Sequence, residues 1–163
     1  MVRQSIVTYI YIGDISIMYI PYRLDIHYHL VNGADHTIMP DPVTANGLSV
    51  VYLKTRKVID LAYNRTLKVP TGVSILQFPT FVLNSDPPVT MGVIARCTSI
   101  PSLEEEEGLS VIGPELISSD KYGEIVVTIK NNNKEIFHAE RGEPIAMMMF
   151  DMLPMIDFGI APS

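Results

Sequence analysis

The sequence predicts an all-β fold of short strands with little helix: a sandwich, a barrel or a jelly roll. Three observations lead there. Val, Ile, Thr and Tyr dominate, and such β-branched and aromatic side chains suit a pleated, half-buried surface. Twelve prolines are scattered through the chain, so no long uninterrupted helix fits. No stretch places apolar residues at i, i+3, i+4 and i+7 for three helical turns.

Strand-like runs recur along the chain instead, at Ser5 to Ile12, Ser16 to Ile20, Leu24 to Leu30, Gly47 to Leu53, Gly72 to Phe78, Thr90 to Cys97, Glu124 to Lys130 and Pro144 to Phe150. Turns between them have local causes. Asn32-Gly33, Pro40-Asp41-Pro42, the run Asn84 to Pro88 and Asn131-Asn132-Asn133 supply fixed or positive φ and side chains that bond to their own backbone. Glu104 to Glu107 place four like charges together, which predicts a solvated loop.

At 163 residues the chain suits a single domain, residues 1–163, with no internal repeat or linker. Hydrophobic residues at 47% against 18% charged argue for a chain that buries much of its surface, some of it between subunits. The net charge of -6 repels a phosphate backbone, so no nucleic-acid partner is expected. The lone Cys97 cannot form an intramolecular disulfide, and residues 1–20 lack the pattern of a signal peptide. Asp14, Arg23 and Asp25 interrupt the apolar N-terminal region before it reaches a membrane-spanning length. A soluble protein of a reducing cytoplasm is the expectation.

The segment Gly108 to Asn131, with Gly123-Glu124-Ile125 opening its last strand, resembles the third motif of the trimeric dUTPase and dCTP deaminase superfamily. Ten residues on, Arg141-Gly-Glu-Pro-Ile-Ala-Met-Met-Met-Phe150 resembles the fourth motif, usually Arg-Gly-Asp-Arg-Ile-Ala-Gln-Leu-Val-Phe. Val69-Pro-Thr-Gly-Val73 is similar to the family's Val-Pro-Thr-Gly-Ile element, and Arg96-Cys-Thr-Ser99 sits where the second motif contacts phosphates. The resemblance covers roughly residues 22–150, is concentrated in 108–150, and implies a dUTPase-like distorted barrel or jelly roll in a homotrimer. Arg96, Thr98, Ser99, Ser118, Tyr122 and Arg141 then become candidate ligand contacts, and Asp25 a candidate for holding Mg2+ through water.

The departures lie in the chemistry. dUTP hydrolysis needs a carboxylate to activate water, and the family's base Asp is Ser118 here. A hydroxyl cannot act as a base without its own proton acceptor. Asp120, two residues on, is the candidate substitute base. Leu116, preceded by Glu115, replaces a small Gly and should narrow the nucleoside slot; Lys121 stands where an aromatic ring packs under the sugar, with Tyr122 next. Thr98 replaces an Arg and removes a bidentate phosphate donor, and Phe158-Gly159 is a faint echo of the Gly-rich fifth motif. In the deaminase branch the catalytic Glu corresponds by register to Tyr122, while Glu124 matches a structural Glu shared by both branches.

His27 and His29 share one strand face at a spacing metals use, but no third ligand is nearby, so a solvated or hydrogen-bonded face is expected. Met147 to Phe150 read as core or trimer axis. Cys97 has no adjacent His and is not expected to be a nucleophile. The leading expectation is a non-catalytic homotrimer, of a kind found in viruses and phages, that binds a nucleotide-like ligand or a protein partner at a remodelled intersubunit cleft. The alternatives are an active dUTP diphosphatase using Mg2+ with Asp25 and Asp120, and a structural subunit of a larger assembly.

Overall fold

The computed structural model describes residues 4–10, 22–31, 33–45, 48–83, 86–117 and 123–155. Thirteen strands and one α-helix follow in order among them. They are β1 Gln4–Ile10, β2 Tyr22–Leu30, β3 Asp41–Ala45, β4 Leu48–Lys54, β5 Ile59–Leu61, β6 Thr66–Pro70, β7 Val73–Gln77, β8 Thr80–Leu83 and β9 Val89–Thr98. After these come α1 Pro101–Glu107, β10 Leu109–Gly113, β11 Val126–Asn131, β12 Phe137–Ala139 and β13 Pro144–Pro154, while a single 3-10 turn, His36–Ile38, precedes β3.

The strands pair antiparallel in four small sheets, ordered β1-β2-β7, β10-β11-β6, β12-β5 and β3-β4-β13-β9-β8. Each contributes to one apolar core: Ile26 and Val73 from the first, Val127 and Ile129 from the second, Ile59 and Phe137 from the third, Leu53 and Met148 from the fourth. Curled sheets wrapped around a shared interior make an all-β distorted barrel, as the sequence predicts.

β13 shows how the alternation works. Ala146, Met148 and Phe150 point into the core and meet Leu53, Cys97 and Ala95 across the ladder. Met147, Met149 and Asp151 point outward, where Met147 packs with Val50 and Ile100 in a second, smaller apolar cluster. Met148 is 0% exposed, which settles core over axis for that side chain.

Two local expectations are corrected and a third is refined. Glu104 to Glu107 are solvated but lie in α1, not in a loop. Pro101 occupies the first turn, where its missing N–H costs nothing, and Gly108 at φ 67° closes the helix with its N–H bonded to the Leu103 carbonyl. Asp41-Pro42 does not turn but opens β3, an edge strand, where a residue without an N–H leaves no interior ladder bond unmade. Asn131 is the buried last residue of β11, at a strand end where its side chain bonds its own backbone as expected. Its Nδ2 donates to the carbonyls of Leu61 and Glu135, both at 2.7 Å, and its Oδ1 accepts from the Asn133 N–H at 2.8 Å. The expected strand Ser16 to Ile20 lies outside the described residues.

Candidate functional site

The Val69-Pro-Thr-Gly-Val73 element and Glu124 are locked to each other. Thr71 is fully buried, and its hydroxyl donates to the Ile125 carbonyl at 2.8 Å while its N–H reaches the same oxygen at 3.1 Å. Gly72 holds φ +75°, a left-handed conformation that favours glycine, and its N–H donates to Glu124 Oε1 at 2.6 Å. The Arg56 guanidinium, 3.3 Å from Glu124 Oε2, completes the node. These contacts brace the chain where β7 begins and where β11 is about to begin.

Ile117 is fixed by main-chain bonds and by the packing of its buried side chain in the core. Ile117 and Ala95 exchange two backbone hydrogen bonds, at 2.8 and 3.1 Å, which seats the residue before Ser118 against β9 one residue before Arg96. Ser118, Asp120 and Tyr122, which follow, lie outside the described residues. Leu116 is exposed.

Arg96, Thr98 and Ser99 occupy the end of β9. Arg96 and Thr98 lie on the outward face, opposite Met149 and Met147. The Arg96 side chain is 53% exposed, and its Nε donates to the carboxylate of Asp151 on β13. Ser99 Oγ accepts from the Val111 N–H at 3.0 Å, tying the end of β9 to β10. Cys97, between them, points inward, and burial pushes its thiol up to about 12. It is therefore a packing residue without nucleophilic character at neutral pH.

Arg141 stands in the turn before β13. Its Nη2 donates to Asp35 Oδ2 at 2.6 Å, and the other oxygen of Asp35 accepts from the Thr37 N–H at 3.0 Å and the Thr37 hydroxyl at 2.6 Å. The two Thr37 bonds first, and the Arg141 charge after them, hold the Asp35 carboxyl below the usual range. Arg141 and Arg96 share no partner. Arg96 sits opposite Met149, five residues along β13 from Pro144, which is roughly 16 Å at ~3.3 Å per residue. Within one chain the two candidate cations are engaged in separate ion pairs, Arg96 with Asp151 and Arg141 with Asp35.

Asp25 lies on β2 opposite Val7, with its side chain outside the described residues. His27 is exposed and His29 half-buried, separated by a register shift between His27 and Tyr28, and among the described residues no three or more His, Cys, Asp or Glu side chains gather to hold a metal. Sequence reasoning missed both acidic partners, Asp151 and Asp35, because strand register and chain crossing decide those meetings. An apolar groove of about 220 Å³ between the ends of β8, β9 and β13, lined by Phe78, Ile94, Leu153 and Met155, contains none of the candidate residues.

No family model matches the sequence, and no curated protein matches it. Solved structures do match. The dUTPase of Streptococcus mutans is similar at 20% identity and a TM-score of 0.60, over 80% of this chain and 98% of that one. The dUTPase of Staphylococcus bacteriophage 80alpha is similar at 13% identity and a TM-score of 0.58, over 85% and 95%. The EIAV dUTPase is similar at 19% identity and a TM-score of 0.54, over 76% and 93%. The shared barrel spans nearly the whole of each of those enzymes, and the fold of this chain is the dUTPase-like fold.

Proposed function

We propose that this protein is a dUTPase-like binding protein that does not hydrolyse dUTP. It acts as a homotrimer built from a single domain and takes an anionic, nucleotide-like ligand at an intersubunit cleft beside Arg96. The observation that carries the reading is the split between retained and redeployed residues. Gly72, Thr71 and Glu124 remain engaged in bracing the fold. Arg96 and Ser99, in contrast, are engaged with Asp151 and Val111 of their own chain, and Ser118 stands in place of a base.

The ion pair does not bar a ligand. Exposed pairs contribute about 0–1 kcal/mol, so a phosphate, with its stronger charge-assisted hydrogen bonds, displaces Asp151 from Arg96 at small cost. The outward face of the five-stranded sheet, with Tyr52, Met149 and the exposed Leu153 among its side chains, is the apolar surface we assign to subunit contact. Among the described residues no helix is long and apolar enough to cross a membrane, and a cytoplasmic location fits the lone Cys97.

The test has two arms. Purified protein with magnesium should release no pyrophosphate from dUTP above background. Turnover that vanishes in Asp120→Asn would instead establish an active diphosphatase, with Mg2+ as cofactor. That reading draws support from the phage phi11 dUTPase, a similar fold that coordinates a structural Mg(II) ion. In the second arm, deoxynucleotides and nucleoside monophosphates are screened by thermal shift. A hit at 100 times its Kd should stabilise the protein by about 2.7 kcal/mol. Arg96→Ala should abolish that shift and Asp151→Asn should enlarge it. If no nucleotide shifts the wild type, a protein partner or a structural role takes precedence. A light-scattering mass of 18.2 kDa at micromolar concentration would refute the trimer.

A further inference from the structure

The two-stranded ribbon of β5 and β12 has a plain inner face and an unusual outer one. Ile59, Leu61, Phe137 and Ala139 point into the core. Asp60 and His138 are directly opposite each other on the outer face. Both ring nitrogens of His138 meet carboxylates: Nδ1 lies 2.8 Å from Asp60 Oδ1, and Nε2 lies 3.1 Å from Glu140 Oε1.

That geometry constrains the proton count. A neutral imidazole has one N–H and one lone pair, so it satisfies one carboxylate and turns a lone pair toward the other. Only the imidazolium donates to both. His138 therefore bridges β5 and the residue just past β12 only in its charged form.

Glu140 begins the turn that carries Arg141, and each residue of that turn is tied down. The Glu140 N–H donates to Glu143 Oε2 at 2.9 Å, Arg141 pairs with Asp35, and the Gly142 N–H donates to the Thr55 carbonyl at 2.9 Å. The side chain of Glu140 is committed to His138. We propose that His138 is a proton-operated clamp that fastens β5 to Glu140, at the start of the turn that carries Arg141.

The charged groups facing this clamp are all acidic. Asp60 comes from β5, Glu140 from the end of β12, and Glu143 lies one hydrogen bond beyond. Among the described residues no Lys or Arg forms an ion pair with Asp60 or Glu140. The hydrogen bond to Asp60 first, and that to Glu140 second, raise His138 above the ordinary histidine value of 6.5. The clamp is fully closed below that value and opens as pH rises through the raised one. Nothing in it requires a ligand at Arg141, so it stands or falls apart from the proposed function.

The experiment is a pH titration of the full chain by nuclear magnetic resonance, with the imidazole signals of His138 identified by their loss in His138→Gln. Both ring nitrogens should be protonated below a midpoint that lies above 6.5. The amide signals of Glu140 to Glu143 and the Nε signal of Arg141 should move with the same midpoint. Asp60→Asn and Glu140→Gln, each at an exposed position, should lower it, and His138→Gln should leave the turn signals without that transition. A midpoint at or below 6.5, or turn signals that stay constant while His138 titrates, overturns the clamp.

Discussion

Replacing Gly72 by Ala tests whether the retained Val-Pro-Thr-Gly element serves the fold through one crowded contact. An added Cβ would sit 2.0 Å from Cδ1 of Ile38 and 3.2 Å from the Cβ of Ala34. Ile38 is fully buried, so its side chain has little room to yield. Two costs add. A non-glycine residue in the left-handed region loses about 1–2 kcal/mol, and forcing extra volume into a packed site costs about 1–3 kcal/mol. The sum is about 3.5 kcal/mol at its centre, or a fall in Tm of roughly 7–14 °C for a chain of this length. Urea denaturation of Gly72→Ala, Ile38→Ala and the double variant separates the two terms. With Ile38 truncated the 2.0 Å clash disappears, and Gly72→Ala should then cost little beyond the backbone term of about 1–2 kcal/mol. Strict additivity of the two substitutions, or a loss below about 0.5 kcal/mol for Gly72→Ala alone, would refute the crowding argument.

Three further outcomes follow from the same structure. Asn131→Ala removes three side-chain hydrogen bonds at a buried site and should cost about 2–4 kcal/mol by chemical denaturation, at ~1 kcal/mol per bond. Asp35 has its carboxyl held low in the native state, so its contribution is complete above 3.8 and is lost as pH falls through the lowered value. Asp35→Asn should therefore flatten the acid limb of the stability curve, as followed by circular dichroism. Cys97, its thiol raised to about 12 by burial, should resist iodoacetamide at about pH 8 in the native protein and react only when the chain is unfolded, as mass spectrometry would show.

Strands with enough alternating residues were legible in the sequence and the shortest were not. β9 and β13 carry enough alternating residues to declare their period, whereas β5 and β12 have three residues each and show no pattern until they pair. α1 escaped notice because seven residues give too little periodicity, although Pro101 before the charged run and Gly108 after it were the available start and stop signals. Pro42 read as a turn because edge position is a property of the sheet, not of the residue. The candidate site was legible as a set of residue types and not as a set of contacts. Arg96 and Asp151 are 55 residues apart and Arg141 and Asp35 are 106 apart, so which acid meets which base depends on register and topology that local patterns do not encode.

The brackets around residues 118–122 also bear on how this scaffold changes over time. On one side Ile117 is held by backbone bonds to Ala95; on the other, Ile125 is held by its N–H to the Val73 carbonyl at 2.7 Å and by its own carbonyl to Thr71. Apart from the Thr71 hydroxyl, those attachments use main-chain atoms that every non-proline residue possesses. What these mounts require is the inward packing of Ile117 and Ile125 and the Glu124 carboxylate on the Gly72 N–H. A sequence change that leaves Ile117, Glu124 and Ile125 in place leaves both attachments intact. The same two mounts offer a protein engineer a defined pair of cut points for grafting a foreign loop onto this barrel.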